Sequence, residues 1–272
     1  MSGDLLARGR VSEIMQPYSF FVSPSDLITK ARSIMRDSGL RTLLVLKDGK
    51  LAGMINLKQI MRITSTRSNV TVAGLMTPPS PVTTPDENLN KIAQDIVNSE
   101  VSMAPVVQSR SDPTIIGIVR LDDILRHIKK APHSSKVTIA EIMSKKVVGC
   151  SPDDDISRVW RLMEETKYSG LPVTRYNKIK HITEVMGMIT RSDIIRSGAT
   201  RLEEESDKGR FQHPSSVKHV MRTLPIVAPP NMPVSEAIEL MLKHDIGRLP
   251  VVEDGDLVGI VSRSDVVKEW LR

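Results

Sequence analysis

Short apolar runs and amphipathic stretches alternate along the chain in an order that repeats four times. In each copy, apolar residues at helical spacing follow a proline turn, as at Ile156, Val159, Trp160 and Met163. Such a stripe predicts a helix that packs on a core, and not a cofactor box. A short apolar run after each helix predicts a buried strand. These runs are residues 43–46, 104–107, 171–174 and 249–252.

Each copy begins with a five-residue segment that ends in methionine, which we call the opening phrase. Each copy ends with a strand that runs from a glycine into a second helix. The opening phrases are residues 11–15, 72–76, 139–143 and 217–221. The closing strands leave Gly53, Gly117, Gly187 and Gly259. A hairpin, clearest at residues 253–256, joins the two main strands. The sequence therefore predicts an α/β (α+β) chain of four β-α-β-β-α repeats.

The repeats are predicted to fold in pairs. One unit of about 55 residues buries too little surface to be stable alone, so two units should share a core. We expect modules 1–132 and 133–272, with their boundary at residues 132–136. Residues 197–216 are polar and acidic, which predicts an exposed linker. The predicted repeats are residues 11–64, 72–130, 137–198 and 217–272.

The turns that close repeats 3 and 4, at residues 187–193 and 259–265, are nearly identical. Each leads from hydroxyl residues into a helix, where free backbone N–H groups and the positive end of the helix dipole favour an anion. An aspartate in each turn can accept hydrogen bonds from a sugar diol, and the combination suits a nucleotide. The same Ser/Thr-x-x-Asp spacing fits a capping box that serves only the helix start. Both interpretations stay open at this point.

Charge favours anionic partners. The formal net charge is +6, and the isoelectric point is near 9.4. Residues 1–132 carry 17 Lys and Arg against 12 Asp and Glu, whereas residues 133–272 carry 21 against 20. The excess fits nucleotide phosphates, nucleic acid, an acidic protein surface or a merely solvated basic face. Because aromatic residues make up only 3% of the chain, stacking platforms for single-stranded nucleic acid are disfavoured.

Several classes of protein are not predicted. The chain has no apolar run of about 18 residues and no hydrophobic leader, so we expect neither a membrane span nor a secretory signal. The single Cys150 cannot form an intrachain disulfide, which fits the cytoplasm. The six histidines show no metal-ligand spacing, and neither a Walker loop nor a Gly-x-Ser-x-Gly turn occurs. We predict no metal, no catalytic cofactor and no enzymatic activity.

The repeats resemble the cystathionine β-synthase (CBS) domain. The resemblance rests on the opening phrase, the proline-marked second strand and the closing Gly-x-x-Ser/Thr-x-Ser-Asp turn, and it covers nearly all of residues 11–271. Four copies in one short chain are similar to stand-alone quadruple-CBS proteins and to the γ subunit of AMP-activated protein kinase. The resemblance implies that two repeats pair about a pseudo-twofold axis and bind adenosine derivatives in two clefts. The aspartate would hold the ribose, the hydroxyls the phosphate, and the partner repeat would enclose adenine.

Carried onto this chain, the resemblance implies two clefts between repeats 3 and 4 for AMP, ADP, ATP or S-adenosylmethionine. The first, which is the stronger candidate, has Arg248 where the family often places a phosphate-binding arginine. It comprises Thr190, Ser192 and Asp193 facing Pro225, Ile226, Gly247, Arg248 and Pro250. The reciprocal cleft comprises Ser262, Ser264 and Asp265 facing Val147, Val148, Ser169, Gly170 and Pro172. Lys145 and Lys146 are close in sequence and receive no assigned contact.

The turns of repeats 1 and 2 depart from the family pattern. Repeat 2 keeps its aspartate but has an acidic residue, Asp122, where a hydroxyl is expected, and that carboxylate would repel phosphate. Repeat 1 has Asn56 and Gln59, which we expect to cap a helix, so its cleft should be empty. The cleft of repeat 2 is a weak candidate. It would comprise Arg120, Asp123, Phe20 and Arg41.

We therefore predict a non-catalytic, cytoplasmic regulator that binds adenine nucleotides, packs as a disk or a homodimer, and acts on a protein partner that the sequence does not identify. The alternative is an adaptor for nucleic acid or a protein partner, with vestigial clefts. The charge excess of residues 1–132 favours that alternative, and the two intact closing turns favour the regulator. No membrane partner is predicted.

Overall fold

The computed structural model describes residues 9–61, 63, 68–99, 101–130, 137–197 and 215–272. The predicted boundary at 132–136 and most of the predicted linker, residues 198–214, lie outside the described residues, as do residues 1–8. The described chain folds into four units of mixed helix and strand content, and this confirms the predicted fold class.

Each unit contains a helix, two strands and a second helix, in that order. Among the described residues, the predicted first strand is extended only in repeat 1 and is reduced to a single parallel bridge at Thr83, Cys150 and Ala228 in the other repeats. The strands are β1 Phe21–Val22, β2 Thr42–Lys47, β3 Lys50–Asn56, β4 Met103–Val107, β5 Ile115–Arg120, β6 Gly170–Asn177, β7 Ile182–Thr190, β8 Arg222–Thr223, β9 Arg248–Glu253 and β10 Asp256–Ser262. The α-helices are α1 Ile28–Ser38, α2 Leu57–Ile60, α3 Leu89–Asn98, α4 Leu121–Lys129, α5 Ile139–Ile142, α6 Ile156–Glu165, α7 Arg191–Arg196, α8 Val234–Lys243 and α9 Arg263–Trp270.

An antiparallel hairpin forms the centre of each unit: β2–β3, β4–β5, β6–β7 and β9–β10. The predicted turn at residues 253–256 is present, and Asp254 and Gly255 have φ angles of 51° and 87°. The turn at Asp48 and Gly49 is of the same kind, with φ angles of 52° and 75°. Positive φ at both central residues matches the right-handed twist of the strands, which is why Asp-Gly closes these hairpins tightly.

Each opening phrase packs against the other repeat of its pair. The backbone N–H of Val11 donates to Glu87 in repeat 2 (3.0 Å), and that of Val72 donates to Asp26 in repeat 1 (2.8 Å). Repeats 3 and 4 exchange their phrases in the same way, through Ile139 and Val217. The side chains of Val11, Val72, Ile139 and Val217 are fully buried. Because each phrase completes its partner, the two repeats of a pair are tied together.

The two largest apolar cores cross between the pairs. One joins the helices of repeats 2 and 4, with Ile124 and Ile238 at its centre, and the other joins those of repeats 1 and 3, with Ile28 and Val159. A third cluster lies between the hairpins of repeats 1 and 2. A fully buried aliphatic side chain contributes about 1.5–3 kcal/mol. These cores thus hold the helices that follow the closing turns at the interface between the two modules, which we call the seam.

Candidate functional site

The closing turns of repeats 3 and 4 start α7 and α9 with the same hydrogen bonds. Asp193 Oδ2 accepts from the backbone N–H of Thr190 (3.0 Å) and from its hydroxyl (2.6 Å), and Asp265 Oδ2 accepts from Ser262 in the same way (2.9 and 2.6 Å). These are capping boxes. Since capping occupies only one carboxylate oxygen, Oδ1 of each aspartate can serve another purpose. The two interpretations left open by the sequence are therefore compatible.

The second carboxylate oxygen has a different environment in each turn. Asp193 Oδ1 accepts from Arg222 Nε at 2.8 Å, and Asp123 Oδ1 accepts from Arg126 Nη1 at 2.9 Å. Among the described residues, no donor reaches Oδ1 of Asp265. Asp193 and Asp123 are 6% and 4% exposed, whereas Asp265 is half-buried. Burial raises the pKa of Asp123, which its hydrogen bond from Arg120 and the charge of Arg126 oppose.

A groove of about 470 Å³ is lined by residues of repeat 3. Ser144 is paired through its backbone with Ile260, two residues before Ser262, which ties the groove to the strand that ends in the closing turn of repeat 4. The groove includes one predicted residue, Val148, and several that sequence reasoning did not assign. It is lined by Ser144, Lys145, Lys146, Val148, Thr166 and Tyr168. The two lysines give one side of the groove a positive charge.

The remaining predicted residues are buried or half-buried. The hydroxyls of Ser192 and Ser264 are half-buried and make no hydrogen bond within the described chain. Pro172 and Pro250 are buried, and each accepts a backbone hydrogen bond from the first strand position of its own repeat, at 3.0 Å in both cases. Val147, Pro225 and Ile226 are half-buried. These side chains can contact a ligand without being needed to complete the hydrogen bonding of the fold.

Arg248 contacts Ser169 and feels the charge of Asp265, both of which the sequence assigned to the reciprocal cleft. Its Nη1 donates to Ser169 Oγ at 2.8 Å, and a Cβ placed on Gly170 would be 3.5 Å from the same nitrogen. Burial, and to a smaller extent the positive charge of Arg41, lower the pKa of Arg248 to about 10, while Asp265 opposes the shift. The guanidinium is still charged at neutral pH but poorly solvated, so it would interact strongly with an anion.

Arg41 reaches from repeat 1 towards repeat 4. A Cβ placed on Gly247 would lie 3.8 and 3.9 Å from its terminal nitrogens. Burial and the charge of Arg263 lower the pKa of Arg41, and the carboxylates of Asp245, Asp122 and Asp193 oppose this. In the described part of the chain, its guanidinium forms no ion pair. The structure thus places Arg41 against repeat 4, where it also feels the charge of Asp122 in the closing turn of repeat 2. Its predicted role in the Asp123 cleft stays a prediction.

Asp122 also reaches across the seam. Its carboxylate forms an ion pair with Arg263 Nη1 at 2.7 Å, and the two side chains are 19% and 12% exposed. Arg263 Nη2 binds Asp245 at 3.0 Å. In repeat 1, Lys58 at the equivalent position lies 3.6 Å from Glu164 of repeat 3. The residues that replace the family hydroxyls therefore link the modules.

The turn of repeat 1 is a capping box, as expected. Asn56 Oδ1 accepts from the backbone N–H of Gln59 (3.1 Å), and Gln59 Oε1 accepts from that of Asn56 (2.7 Å). The Gln59 amide also donates to the Leu75 carbonyl at 2.9 Å. Phe20 is exposed and packs edge-to-face on Tyr18, with centroids 6.0 Å apart. No contact between Phe20 and Asp123 is recorded in the described chain.

Paired β-α-β-β-α repeats that exchange their opening phrases define the class of this protein. The CBS domain profile matches residues 11–65, 72–130, 139–199 and 217–272, so the chain belongs to the CBS domain family.

Solved structures of two archaeal proteins share the fold. Protein MJ1225 of Methanocaldococcus jannaschii, which has been proposed as an archaeal homologue of g-AMPK, is 21% identical, with a TM-score of 0.82 over 96% of this chain and 100% of its own. A conserved protein of Pyrococcus horikoshii is 24% identical, with a TM-score of 0.64 over 96% of this chain and 100% of its own. Identity at this level shows the fold alone.

A curated relative of unknown function matches most of the chain. Uncharacterized protein MJ1404 of Methanocaldococcus jannaschii is 25% identical over 273 residues, which are 97% of this chain and 62% of the relative. The chain therefore spans less than two thirds of that relative's length. Within the described ranges, no helix is long and apolar enough to cross a membrane, and no three His, Cys, Asp or Glu side chains are grouped to hold a metal ion.

Proposed function

We propose that the chain is a non-catalytic regulatory protein that binds an adenosine-containing ligand between repeats 3 and 4, above all in the cleft that ends at Asp265. The observation that carries this proposal is the open Oδ1 of Asp265 at the start of α9, whose preceding strand pairs with Ser144 of the groove with two lysines. An unpaired carboxylate oxygen at the positive end of a helix dipole suits a ribose diol and a phosphate together.

The charges of the cleft favour a phosphorylated ligand. Lys145 and Lys146 line the groove, and the poorly solvated Arg248 lies near Asp265. These cations would attract AMP, ADP or ATP and would not attract the sulfonium group of S-adenosylmethionine. We therefore propose that adenine nucleotides are the preferred ligands, with S-adenosylmethionine binding more weakly.

Arg41 gives this binding a regulatory consequence. It belongs to repeat 1 but lies against Gly247 in repeat 4. A phosphate that reached both Arg41 and Arg248 would neutralise two poorly solvated charges, the first of which lowers the pKa of the second, and it would link the modules. Nucleotide binding would thereby stabilise the packing of one module on the other, a change that a protein partner could recognise.

The cleft at Asp193 is proposed as a second site, since it has the same turn and the same open hydroxyl. The cleft at Asp123 stays a weak candidate, because its turn has the carboxylate of Asp122 in place of a hydroxyl, and that carboxylate pairs with Arg263. We propose that the cleft at Gln59 is empty, since its amide oxygen caps α2 and its amide nitrogen binds Leu75.

Calorimetric titration of the full chain with AMP, ADP, ATP and S-adenosylmethionine tests the proposal. We expect saturable binding of the three nucleotides, tighter than that of S-adenosylmethionine, with ATP recovered unchanged after incubation. No binding of any of the four compounds at millimolar concentration would refute the proposed function. Nucleotide hydrolysis at a steady rate would refute its non-catalytic part.

The homodimer, the regulated protein partner and the cytoplasmic location remain predictions. Because the helices of the two modules cover one another within one chain, a single chain can form the predicted disk. Light scattering distinguishes the two assemblies, since a monomer has a mass of 30.2 kDa and a dimer has twice that mass.

A further inference from the structure

One backbone position faces the closing turn in all four repeats. It is the residue after the methionine of each opening phrase, and it pairs with the residue two places before the helix cap of the other repeat. The four pairs are Gln16 with Ile118, Thr77 with Met54, Ser144 with Ile260 and Arg222 with Met188. Since the register is the same, differences between these turns come from the side chains.

Arg222 is the long cationic residue of this set. Its Nε donates to Asp193 Oδ1 at 2.8 Å, and the two side chains are 53% and 5% exposed. Asp193 Oδ2 is occupied by the helix cap, so both carboxylate oxygens are engaged. At the equivalent position in the other cleft, the Ser144 side chain is uncharged and makes no hydrogen bond with Asp265 in the described chain.

We propose that Arg222 is an inhibitory latch on the Asp193 cleft, an inference that rests on the proposed binding of an adenosine-containing ligand. A ribose diol must compete with Arg222 for Oδ1 of Asp193, so that binding in this cleft weakens or breaks the Nε–Oδ1 bond. Arg222 is half-exposed and returns to water on release, so the penalty is modest, about tenfold in affinity, which corresponds to 1.4 kcal/mol. The Asp265 cleft has no such penalty and fills first as ligand concentration rises.

The salt dependence of binding gives a second way to detect the latch, because dissolved ions screen the Arg222–Asp193 ion pair. An ion pair that is open to solvent on one side weakens as salt rises. A neutral ligand such as adenosine makes no salt-sensitive phosphate contact of its own. Raising the salt concentration should therefore tighten adenosine binding at Asp193 and leave its binding at Asp265 unchanged.

The test uses the full chain and isolates one cleft at a time. Asp265→Asn keeps an oxygen for the helix cap and weakens the Asp265 cleft, so that binding at Asp193 is observed. In this background, Arg222→Ser copies the residue found at Ser144, and calorimetry with adenosine and with AMP should show about tenfold tighter binding of both. Unchanged affinity for both compounds would refute the latch. Weaker AMP binding with unchanged adenosine binding would refute it also, because Arg222 would then be a phosphate ligand.

The reciprocal exchange is the matched control. In an Asp193→Asn background, Ser144→Arg should install a latch on Asp265 and weaken adenosine binding about tenfold, with the melting temperature showing that the fold is kept. Unaltered binding by this variant would contradict the proposal. If the unmodified chain bound neither adenosine nor AMP, the proposed function itself would fail, whereas normal binding with no response to Arg222→Ser would refute the latch alone.

Discussion

The closing turns of the two modules share a backbone but use their side chains differently. In module 133–272, helix capping occupies one oxygen of Asp265, and the other stays open, whereas the second oxygen of Asp193 is bound by Arg222. In module 1–132, the corresponding groups bind protein: Asp122 binds Arg263 across the seam, and Asp123 binds Arg126 of its own helix. The side chains of a closing turn either form ion pairs within the protein or stay available to a ligand. One or two substitutions in the turn determine which of the two occurs.

The largest expected effect is the loss of a ligand contact at Asp265. Asp265→Ala should weaken adenosine and AMP alike at that cleft, because two hydrogen bonds from ribose to a charged oxygen are worth about 2–3 kcal/mol, roughly a factor of 30 to 150. Calorimetry measures the change. The control is Gln59→Ala, which also removes a capping side chain but lies in the first module. Early melting of Asp265→Ala with normal binding would show that the aspartate serves only the cap.

The next effect concerns stability at the seam. Asp122→Ser should lower the free energy of unfolding by about 2 kcal/mol, a value between those of exposed and fully buried ion pairs, because it leaves the largely buried Arg263 with Asp245 alone. Lys58→Ser should cost at most about 0.5 kcal/mol, since its pair is longer and more exposed. Urea denaturation of both variants tests the difference. Equal stability would mean that Asp122 does not link the modules.

A smaller effect separates phosphate from nucleoside binding. Arg248→Ala and Arg41→Ala should each weaken AMP about tenfold and change adenosine little, because the guanidinium groups meet phosphate and not the sugar. The loss should shrink at high salt. Arg36→Ala, an exposed arginine of repeat 1, is the control. An equal loss for adenosine and AMP would instead assign Arg248 a packing role beside Ser169.

The smallest expected effect is the change in AMP affinity when a lysine that lines the groove is replaced. Lys145→Ser and Lys146→Ser should each weaken AMP about threefold at low salt, since exposed lysines interact with phosphate through a well-screened charge. Lys178→Ser, on the exposed hairpin of repeat 3, should have no effect. Titrations at two salt concentrations measure the loss, and its persistence at high salt would contradict a purely electrostatic contact.

Local features of the fold could be predicted from the sequence. The stripe at Ile156, Val159, Trp160 and Met163 is buried as expected, and the Asp254–Gly255 turn closes its hairpin. The capping boxes at the closing turns follow from residues three positions apart. In each case, the pattern and its cause lie within one helix turn or one hairpin, so neighbouring residues are sufficient to determine the structure.

Contacts between repeats could not be predicted in the same way. Arg41 and Asp122 lie far in sequence from Gly247 and Arg263, and their meeting depends on how two modules pack. Arg222 did leave a signal, because it directly follows its opening phrase, at the position where the other repeats have Gln, Thr and Ser. Its pairing with Asp193 nevertheless required the exchange of opening phrases to be known.

The most direct test compares two double variants of the full chain by calorimetric titration with AMP. Asp193→Asn combined with Asp265→Asn should abolish measurable binding, because both ribose carboxylates are lost while the caps keep an oxygen acceptor. Asp123→Asn combined with Gln59→Ala should bind with the affinity and the number of sites of the unmodified chain. Retained binding by the first variant, or its loss in the second, would contradict the assignment of the ligand clefts to residues 133–272.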